Sequence, residues 1–173
     1  FIVAFIIVGG VYFFLGRPFT VSGASMYPTL HNGDRMVLSK VGDIHRFDVV
    51  ILKAPDENVE YIKRVIGMPG DTIEMKSGVL YINGKKVDQP FINTEALAKQ
   101  TVFMDDFTLE SLTGESKVPE GKYFVLGDNR GVSKDSRMIG FIDRSAIEGK
   151  AVFTIWPFGR IGGQKDYSYL YSE

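Results

Sequence analysis

The stretch "VEYIKRVIG", residues 59–67, sets the pattern of the chain, because its side chains alternate in character and a glycine closes it. A period of two is typical of a β-strand, whose successive side chains point to opposite faces. The alternation puts four residues on each face: Val59, Tyr61, Lys63 and Val65 on one, and Glu60, Ile62, Arg64 and Ile66 on the other. Lys63 is therefore predicted to lie in an otherwise apolar row.

The same period recurs along the chain between turn residues. Six more segments are predicted as strands: "DRMVLSK" (34–40), "FDVVILK" (47–53), "DTIEM" (71–75), "GVLYI" (78–82), "KYFVL" (122–126) and "KAVFTIW" (150–156). Asn83-Gly84 between two of the apolar runs predicts a two-residue hairpin. Many short strands at close spacing predict a mainly β, antiparallel fold, a barrel or a sandwich, rather than alternating β and α units.

A chain of 173 residues holds one sizeable core. We expect a single β domain built from residues 17–87 and 120–160, with residues 161–173 as a C-terminal tail. Residues 88–119 are more polar and lack the period-two pattern of the predicted strands. They are predicted to form a small inserted cap or loop, with a short helix near 94–100.

The first 16 residues, "FIVAFIIVGGVYFFLG", are apolar and carry no charge. This is short of the roughly 20 residues that span a bilayer, and the chain begins with Phe1 rather than Met. We interpret residues 1–16 as a truncated transmembrane anchor. A buried core helix and a cleavable signal peptide are the alternatives.

Composition excludes several classes of function. A net charge of −1 is not the basic footprint that nucleic-acid binding requires, so no nucleic-acid partner is predicted. The chain has no cysteine, which excludes thiolate zinc sites, iron–sulfur clusters and disulfides, and its two histidines make a poor basis for a histidine metal site. We expect neither a metal nor another cofactor.

Ser25, in "VSGASMYPTL" (21–30), is a candidate nucleophile without a histidine nearby in sequence. Lys63 is its candidate base, because burial disfavours the ammonium form and lowers the pKa of a lysine toward neutral. The alternatives are ordinary: Ser25 as a turn residue, and Lys63 as a side chain whose amine reaches water.

A third polar segment, "LGDNRGVSKDSR" (126–137), follows the predicted strand at 122–126. Its glycines permit sharp turns, and its Asp and Arg side chains are able to pair through charge-assisted hydrogen bonds. Such a loop is able to bring the Ser133 hydroxyl to Lys63. The alternative is a solvated turn with surface ion pairs.

Taken together, these segments resemble the type I signal peptidases, membrane-anchored proteases with a Ser–Lys dyad. Four blocks occur in the family's order: "SGASMYPTL", "GDIHRFDVVILK", "YIKRVIGMPGD" and "GDNRGVSKDSR". The short insertion and single anchor are more similar to the Gram-positive enzymes. The resemblance implies the signal-peptidase type of antiparallel β fold.

The resemblance also assigns roles. Ser25 matches the nucleophile, Lys63 the general base and Ser133 the hydroxyl that orients the lysine. Supporting positions fall on Asp128, Arg130, Asp135 and Arg137, with Asp135 and Arg137 as the expected pair. The oxyanion region falls on the Ser25 N–H; Gly23 replaces a serine that donates the second hydrogen bond in some members.

The implied substrates are secreted preproteins, cut after small residues at the first and third positions before the bond, as in Ala-X-Ala. The substrate is expected to add as a strand between residues 19–23 and 60–62. The candidate pocket walls are Phe19, Val21, Met26, Leu30, Tyr61 and Ile62. The expected location is the cytoplasmic membrane, with one membrane span, the catalytic domain on the extracytoplasmic face, and the lipid bilayer as a partner.

The sequence argues against two rival functions and leaves two open. A self-cleaving repressor requires a DNA-binding domain, and a penicillin-binding enzyme requires Lys where this chain has Pro28. A Ser–His hydrolase using His31 or His45, and an inactive tethered module that binds secreted peptides, stay open at the level of sequence.

Overall fold

The computed structural model describes residues 2–3, 16–40, 42–92 and 105–171. Within them the chain is mainly antiparallel β, as predicted. The strands are β1 Pro18–Thr20, β2 Arg35–Ser39, β3 Val49–Lys53, β4 Glu60–Gly67, β5 Ile73–Lys76, β6 Val79–Ile82, β7 Lys85–Val87, β8 Phe107–Thr108, β9 Lys122–Leu126, β10 Ile142–Asp143, β11 Ile147–Trp156 and β12 Gly162–Gly163.

In the described ranges, two short α-helices and two 3₁₀ turns lie between these strands, and a third 3₁₀ turn follows β12. They are α1 Leu109–Thr113, α2 Ser136–Ile139, η1 Arg144–Ala146, η2 Phe158–Arg160 and η3 Ser168–Leu170. Thr108 caps the start of α1 and Asp135 caps the start of α2, because each side chain accepts a backbone N–H of the first turn.

The strands form two sheets. The larger has eight strands in the order β1-β2-β11-β3-β4-β9-β10, with β12 added beside β11. The smaller has the order β7-β6-β5-β8. Asn83 and Gly84 both have positive φ and join β6 to β7, so the predicted hairpin is confirmed.

Strand β4 lies inside the larger sheet, and both of its faces are covered. Ile62, Val65 and Ile66 belong to three different clusters of buried apolar side chains. The alternating side chains of β4 therefore point into two buried environments, rather than alternately into the core and into solvent. Lys63 and Arg64 are 3% and 1% exposed, so two cations are buried in consecutive positions.

Two predicted segments fall on residues outside the described ranges. The apolar segment 1–16 is described only at residues 2, 3 and 16, and the expected helix near 94–100 lies wholly outside. Among the helices that the structure describes, none combines the length and the apolar character needed to cross a bilayer. From residue 105 onward the polar segment contributes β8, which pairs with β5 in the smaller sheet.

Candidate active site

The two candidate catalytic side chains meet, although they lie 38 residues apart in sequence. Ser25 lies in the turn after β1, and Lys63 lies in the middle of β4. The Lys63 Nζ is 3.1 Å from the Ser25 Oγ and also donates to the Ile62 carbonyl at 2.9 Å. This is the geometry that proton transfer between a nucleophile and its base requires.

The surroundings of Lys63 change its acidity. Burial lowers the pKa of Lys63 from 10.5 to about 8, while the nearby charge of Asp135 acts in the opposite direction. A lysine with this pKa holds an appreciable neutral fraction near physiological pH, so its amine is able to accept a proton.

The pH dependence of the reaction follows from this pKa. With Lys63 as the base, only its neutral amine accepts the Ser25 proton, so kcat/KM is expected to reach a plateau above about pH 8 and to fall about tenfold per pH unit below it. A pH–rate profile at constant ionic strength measures this, with circular dichroism checking that the protein stays folded. A flat profile from pH 6 to 9 would contradict Lys63 as the base.

The loop after β9 is fixed by a carboxylate that is fully buried. Asp135 is 0% exposed, and its two oxygens accept from the Arg137 Nε at 2.8 Å and Nη2 at 2.9 Å. The same carboxylate accepts the Gly127 N–H at 3.0 Å. The predicted Asp135–Arg137 pair is therefore present. Arg130 donates instead to the Gly127 carbonyl at 2.9 Å and to Gln89 at 2.6 Å.

Ser133 is 2% exposed and lies against Gly127. Its hydroxyl has no hydrogen-bond partner among the described residues. The two acceptors of the Lys63 amine are Ser25 and Ile62. The role of Ser133 in orienting the lysine thus stays a prediction.

Gly127 brings three parts of the site together because it has no side chain. A Cβ at this position would lie 2.1 Å from the Ser133 Oγ and 2.5 Å from the Ser25 carbonyl oxygen. Both distances are far below van der Waals contact, and the second involves main-chain atoms that cannot rotate away. Only glycine fits here.

We expect Gly127→Ala to lower kcat at least about a hundredfold, because displacement of the Ser25 turn by about 1 Å misaligns the nucleophile. Gly159→Ala is the matched control, since a Cβ at Gly159 meets no atom within 4 Å. Steady-state cleavage by both variants provides the comparison. Equal rates for the two variants would show that the close approach is not needed.

Sequence reasoning missed the partner of Asp128. The Arg64 Nε and Nη2 donate to the two oxygens of Asp128 at 2.9 and 2.7 Å, and both side chains are buried. The Thr29 hydroxyl donates to the same carboxylate at 2.5 Å. The alternating pattern of β4 predicts which face of the strand Arg64 lies on, but not its partner. Asp128 is 64 positions further along the chain, so no local sequence pattern links the two residues.

A cleft of about 400 Å³ opens beside the dyad. Phe19, Tyr61 and Ile62 line it, together with Ser25, Lys63 and Val132. A second cavity of about 860 Å³ also contains Phe19 and Tyr61 and extends away from Ser25. Val21, Met26 and Leu30 lie elsewhere, in the buried core, with 2%, 1% and 1% exposure.

The Ser25 N–H is an available backbone donor in the oxyanion region. Within the described residues, no acceptor binds the Ser25 N–H. Gly23 has φ +85°, and its N–H donates to Asn32 Oδ1 at 2.8 Å, which occupies it in this structure. The hydroxyl expected at this position in some relatives is absent, as the sequence indicates.

Other chemistries find less support at this site. The Ser25 hydroxyl contacts Lys63, whereas His45 is exposed and lies 3.7 Å from Asp48, and the His31 ring packs at a tilt against the Tyr27 ring. In the part of the chain that the structure describes, no three acidic, histidine or cysteine side chains are grouped to hold a metal ion.

Comparison with known proteins agrees with this geometry. A family described as "Signal peptidase, peptidase S26" matches residues 1–156. The chain is 47% identical to a signal peptidase I of Bacillus licheniformis over 156 residues, covering 86% of this chain and 81% of the relative. It is 44% identical to a signal peptidase IB of Staphylococcus aureus over 165 residues, covering 90% and 86%.

A solved structure is also similar. The crystal structure of a signal peptidase I from Enterococcus faecalis V583 matches with a TM-score of 0.57 and 40% identity, covering 64% of this chain and 97% of that one. The family match spans most of the chain and includes both dyad residues. The chain therefore belongs to the signal peptidase family, peptidase S26, whose members are endopeptidases.

Proposed function

We propose that this protein is a membrane-anchored serine endopeptidase that removes signal peptides from exported preproteins, with Ser25 as nucleophile and Lys63 as general base. One observation carries the proposal: a buried lysine amine lies 3.1 Å from a serine hydroxyl at the end of a strand-lined cleft. The family match supports the class of substrate.

The reaction proceeds in two halves. Neutral Lys63 takes the proton of the Ser25 hydroxyl as Oγ attacks the scissile carbonyl carbon, and the lysine then protonates the departing amine as the C–N bond breaks. Next, a water molecule loses a proton to Lys63 and attacks the ester. Release of the carboxylate returns the proton from Lys63 to Ser25.

Negative charge develops on the carbonyl oxygen in both halves. The Ser25 N–H is the donor we assign to it, because no described residue competes for that hydrogen. The second donor is the Gly23 N–H released from Asn32, or water. Either one stabilises the tetrahedral intermediate only when it points at the oxygen as the charge forms.

The substrate binds as an extended strand between residues 19–23 and 60–62. Phe19, Tyr61 and Ile62 form the walls that select small side chains, consistent with cutting after Ala-X-Ala sites. The side chains of Val21, Met26 and Leu30 support these walls from the buried core, where they cluster with Phe19 and Ile62, and do not touch the substrate.

An exposed apolar patch supports contact with lipid. It consists of side chains that are at least 40% exposed at the end of β11 and in the residues that follow: Phe153, Ile155, Trp156, Phe158 and Ile161. Trp156 and Phe158 stack edge to face with centroids 4.7 Å apart. Aromatic rings of this kind favour the membrane–water interface, where signal peptides arrive.

Replacing Trp156 and Phe158 together by serine is expected to lower cleavage of a preprotein in liposomes about tenfold, because two rings leave the interface. Cleavage of a short soluble peptide is expected to change less than twofold. Leu112→Ser, at an exposed position on α1, is the control. An equal loss on both substrates would argue against lipid contact.

The test of the proposed function is cleavage of a purified preprotein in liposomes, with N-terminal sequencing of the product. We expect a cut after an Ala-X-Ala site by the unaltered protein and none by Ser25→Ala. Cleavage by both would exclude Ser25 as the nucleophile. Binding without cleavage by the unaltered protein would favour a tethered binding module instead.

A further inference from the structure

The segment after the long strand β11 is outside the residues that match the family, yet it is packed onto the core. The match ends at residue 156. Beyond it, the Gln164 N–H donates to the Val152 carbonyl at 3.0 Å, and Tyr167, Leu170 and Tyr171 pack against the largest core cluster. We call residues 164–171 the C-terminal strap.

Each of two tyrosine rings in the strap lies against a cation. The Tyr171 ring is 4.2 Å from the Arg46 guanidinium, and its hydroxyl accepts from the Asn83 amide at 2.9 Å. The Tyr167 ring is 5.3 Å from the Arg64 guanidinium. Both separations are within the range of cation–π attraction. The strap therefore contacts the larger sheet through Arg64 on β4 and the β6–β7 turn of the smaller sheet through Asn83.

Of these two contacts, the one between Tyr167 and Arg64 matters more for the candidate site. Its hydrogen-bond donors are directed in the guanidinium plane to Asp128 and to the Phe47 carbonyl at 2.8 Å. Phe91 lies 4.4 Å from the same guanidinium and packs edge to face with Tyr167 at 5.4 Å. The rings of Phe91 and Tyr167 thus restrict the tilt of the Arg64 guanidinium. The donors in the plane of this guanidinium hold the Asp128 carboxylate in place.

That carboxylate holds the Ser25 turn. Asp128 accepts the Thr29 hydroxyl at 2.5 Å, four residues beyond Ser25. The next residue, Asn129, donates its N–H to the Ser25 carbonyl at 2.9 Å and its side-chain amide to the Ala24 carbonyl at 3.0 Å. Arg64 also directly follows Lys63 on β4. One cation therefore anchors both halves of the dyad.

We propose that Tyr167 is a positioning residue for the peptidase reaction, acting through Arg64 and Asp128 to hold Ser25 within reach of Lys63. The inference rests on the proposed function and adds a contributor from beyond the family match. Tyr167 itself touches neither the dyad nor the cleft lining. The inference rests on its ring, which lies 5.3 Å from the Arg64 guanidinium and packs against Phe91.

The experiment compares steady-state preprotein cleavage by the full chain and three variants. Tyr167→Leu is expected to lower kcat about tenfold while KM changes less than twofold, because the cleft is unaltered. Tyr167→Phe keeps the ring and is expected to retain kcat within twofold. Tyr169→Leu is the matched control, because this neighbouring tyrosine is 71% exposed.

Hydrogen exchange at the Asn129 amide reports directly on the contact that holds the Ser25 turn. At a temperature where every variant is folded by circular dichroism, the Asn129 amide is expected to exchange at least about tenfold faster in Tyr167→Leu. If that variant does not fold, Tyr167→Met takes its place. A kcat within twofold of the unaltered protein, or an unchanged Asn129 exchange rate, would overturn the inference. Absence of cleavage by the unaltered protein itself would instead count against the proposed function.

Discussion

Lys63→Met is expected to lower kcat/KM at least about a thousandfold at pH 8, because the variant has no group to accept the Ser25 proton. Methionine keeps the apolar length of the side chain, so the buried site stays filled. The matched control is Lys76→Met on β5, an exposed lysine of the smaller sheet. Retention of more than a tenth of the activity by Lys63→Met would rule out the lysine as general base.

The same substitution is expected to stabilise the fold, and this provides a second readout. The folded-state pKa of Lys63 is about 8, below the ordinary 10.5. The unfolded state therefore binds more protons between these values, and the stability of the unaltered protein rises with pH across that window. Below pH 8 the charged, buried amine costs about 3 kcal/mol, because its pKa falls from 10.5 to about 8 on folding.

Urea unfolding at pH 7 and at pH 10.5 measures this difference. Lys63→Met is expected to be more stable than the unaltered protein at pH 7, with the gap closing toward pH 10.5 as the unaltered lysine becomes neutral in both states. A gap that is independent of pH would mean that burial does not shift the pKa of Lys63. Loss of activity combined with a gain in stability is a combination that general unfolding cannot produce.

Arg64→Met is expected to destabilise the fold by about 3–5 kcal/mol, because it leaves the Asp128 carboxylate buried without its cation. The side chains of Arg64 and Asp128 are 2% and 0% exposed, so water does not replace the lost partner. This is a large share of the roughly 5–15 kcal/mol that stabilise a typical domain. Activity is expected to fall as well, since Asp128 and Asn129 hold the Ser25 turn.

Chemical denaturation of Arg64→Met and of Lys122→Met makes the comparison. Lys122 pairs with Asp143 at 3.0 Å, and both side chains are more than a third exposed, so its loss is expected to cost less than about 1 kcal/mol. If Arg64→Met does not fold, Arg64→Lys keeps the charge and loses the paired geometry. The double variant with Asp128→Asn is expected to be more stable than Arg64→Met alone. A cost below about 1 kcal/mol for Arg64→Met would contradict the pairing.

Much of the local structure was predictable because it depends on near neighbours in sequence. Period-two segments became β2, β3, β4, β5, β6, β9 and β11, and Asn83-Gly84 became the turn between β6 and β7. The Asp135–Arg137 pair, which spans two residues, is the pair that the family resemblance implies. The candidate dyad was named from an apolar row and a family resemblance, and the structure brings the two side chains together.

Other features depend on contacts between distant segments. The alternation of β4 does not reveal that both faces are covered, since that depends on three separate clusters assembled from the whole chain. For the same reason Val21, Met26 and Leu30, apolar and close to Ser25 in sequence, are buried beneath the cleft rather than lining it. Residues 161–173 are predicted as a tail, but Tyr167 and Tyr171 pack against the core. No local sequence pattern predicts this packing.

The sequence by itself determined the strands and the hairpin, because periodicity and turn chemistry act over a few positions, and with the family resemblance it named Ser25 and Lys63 as candidate catalytic residues. The tertiary structure alone decided that Arg64 pairs with Asp128, that position 127 admits only glycine, and that Lys63 is buried enough for its pKa to approach 8. The ion pair, the close approach at Gly127 and the burial of Lys63 all depend on how distant segments of the chain pack in space. This packing exists only once β4 and β9 are neighbours in the sheet and the Ser25 turn is packed against the loop that follows β9.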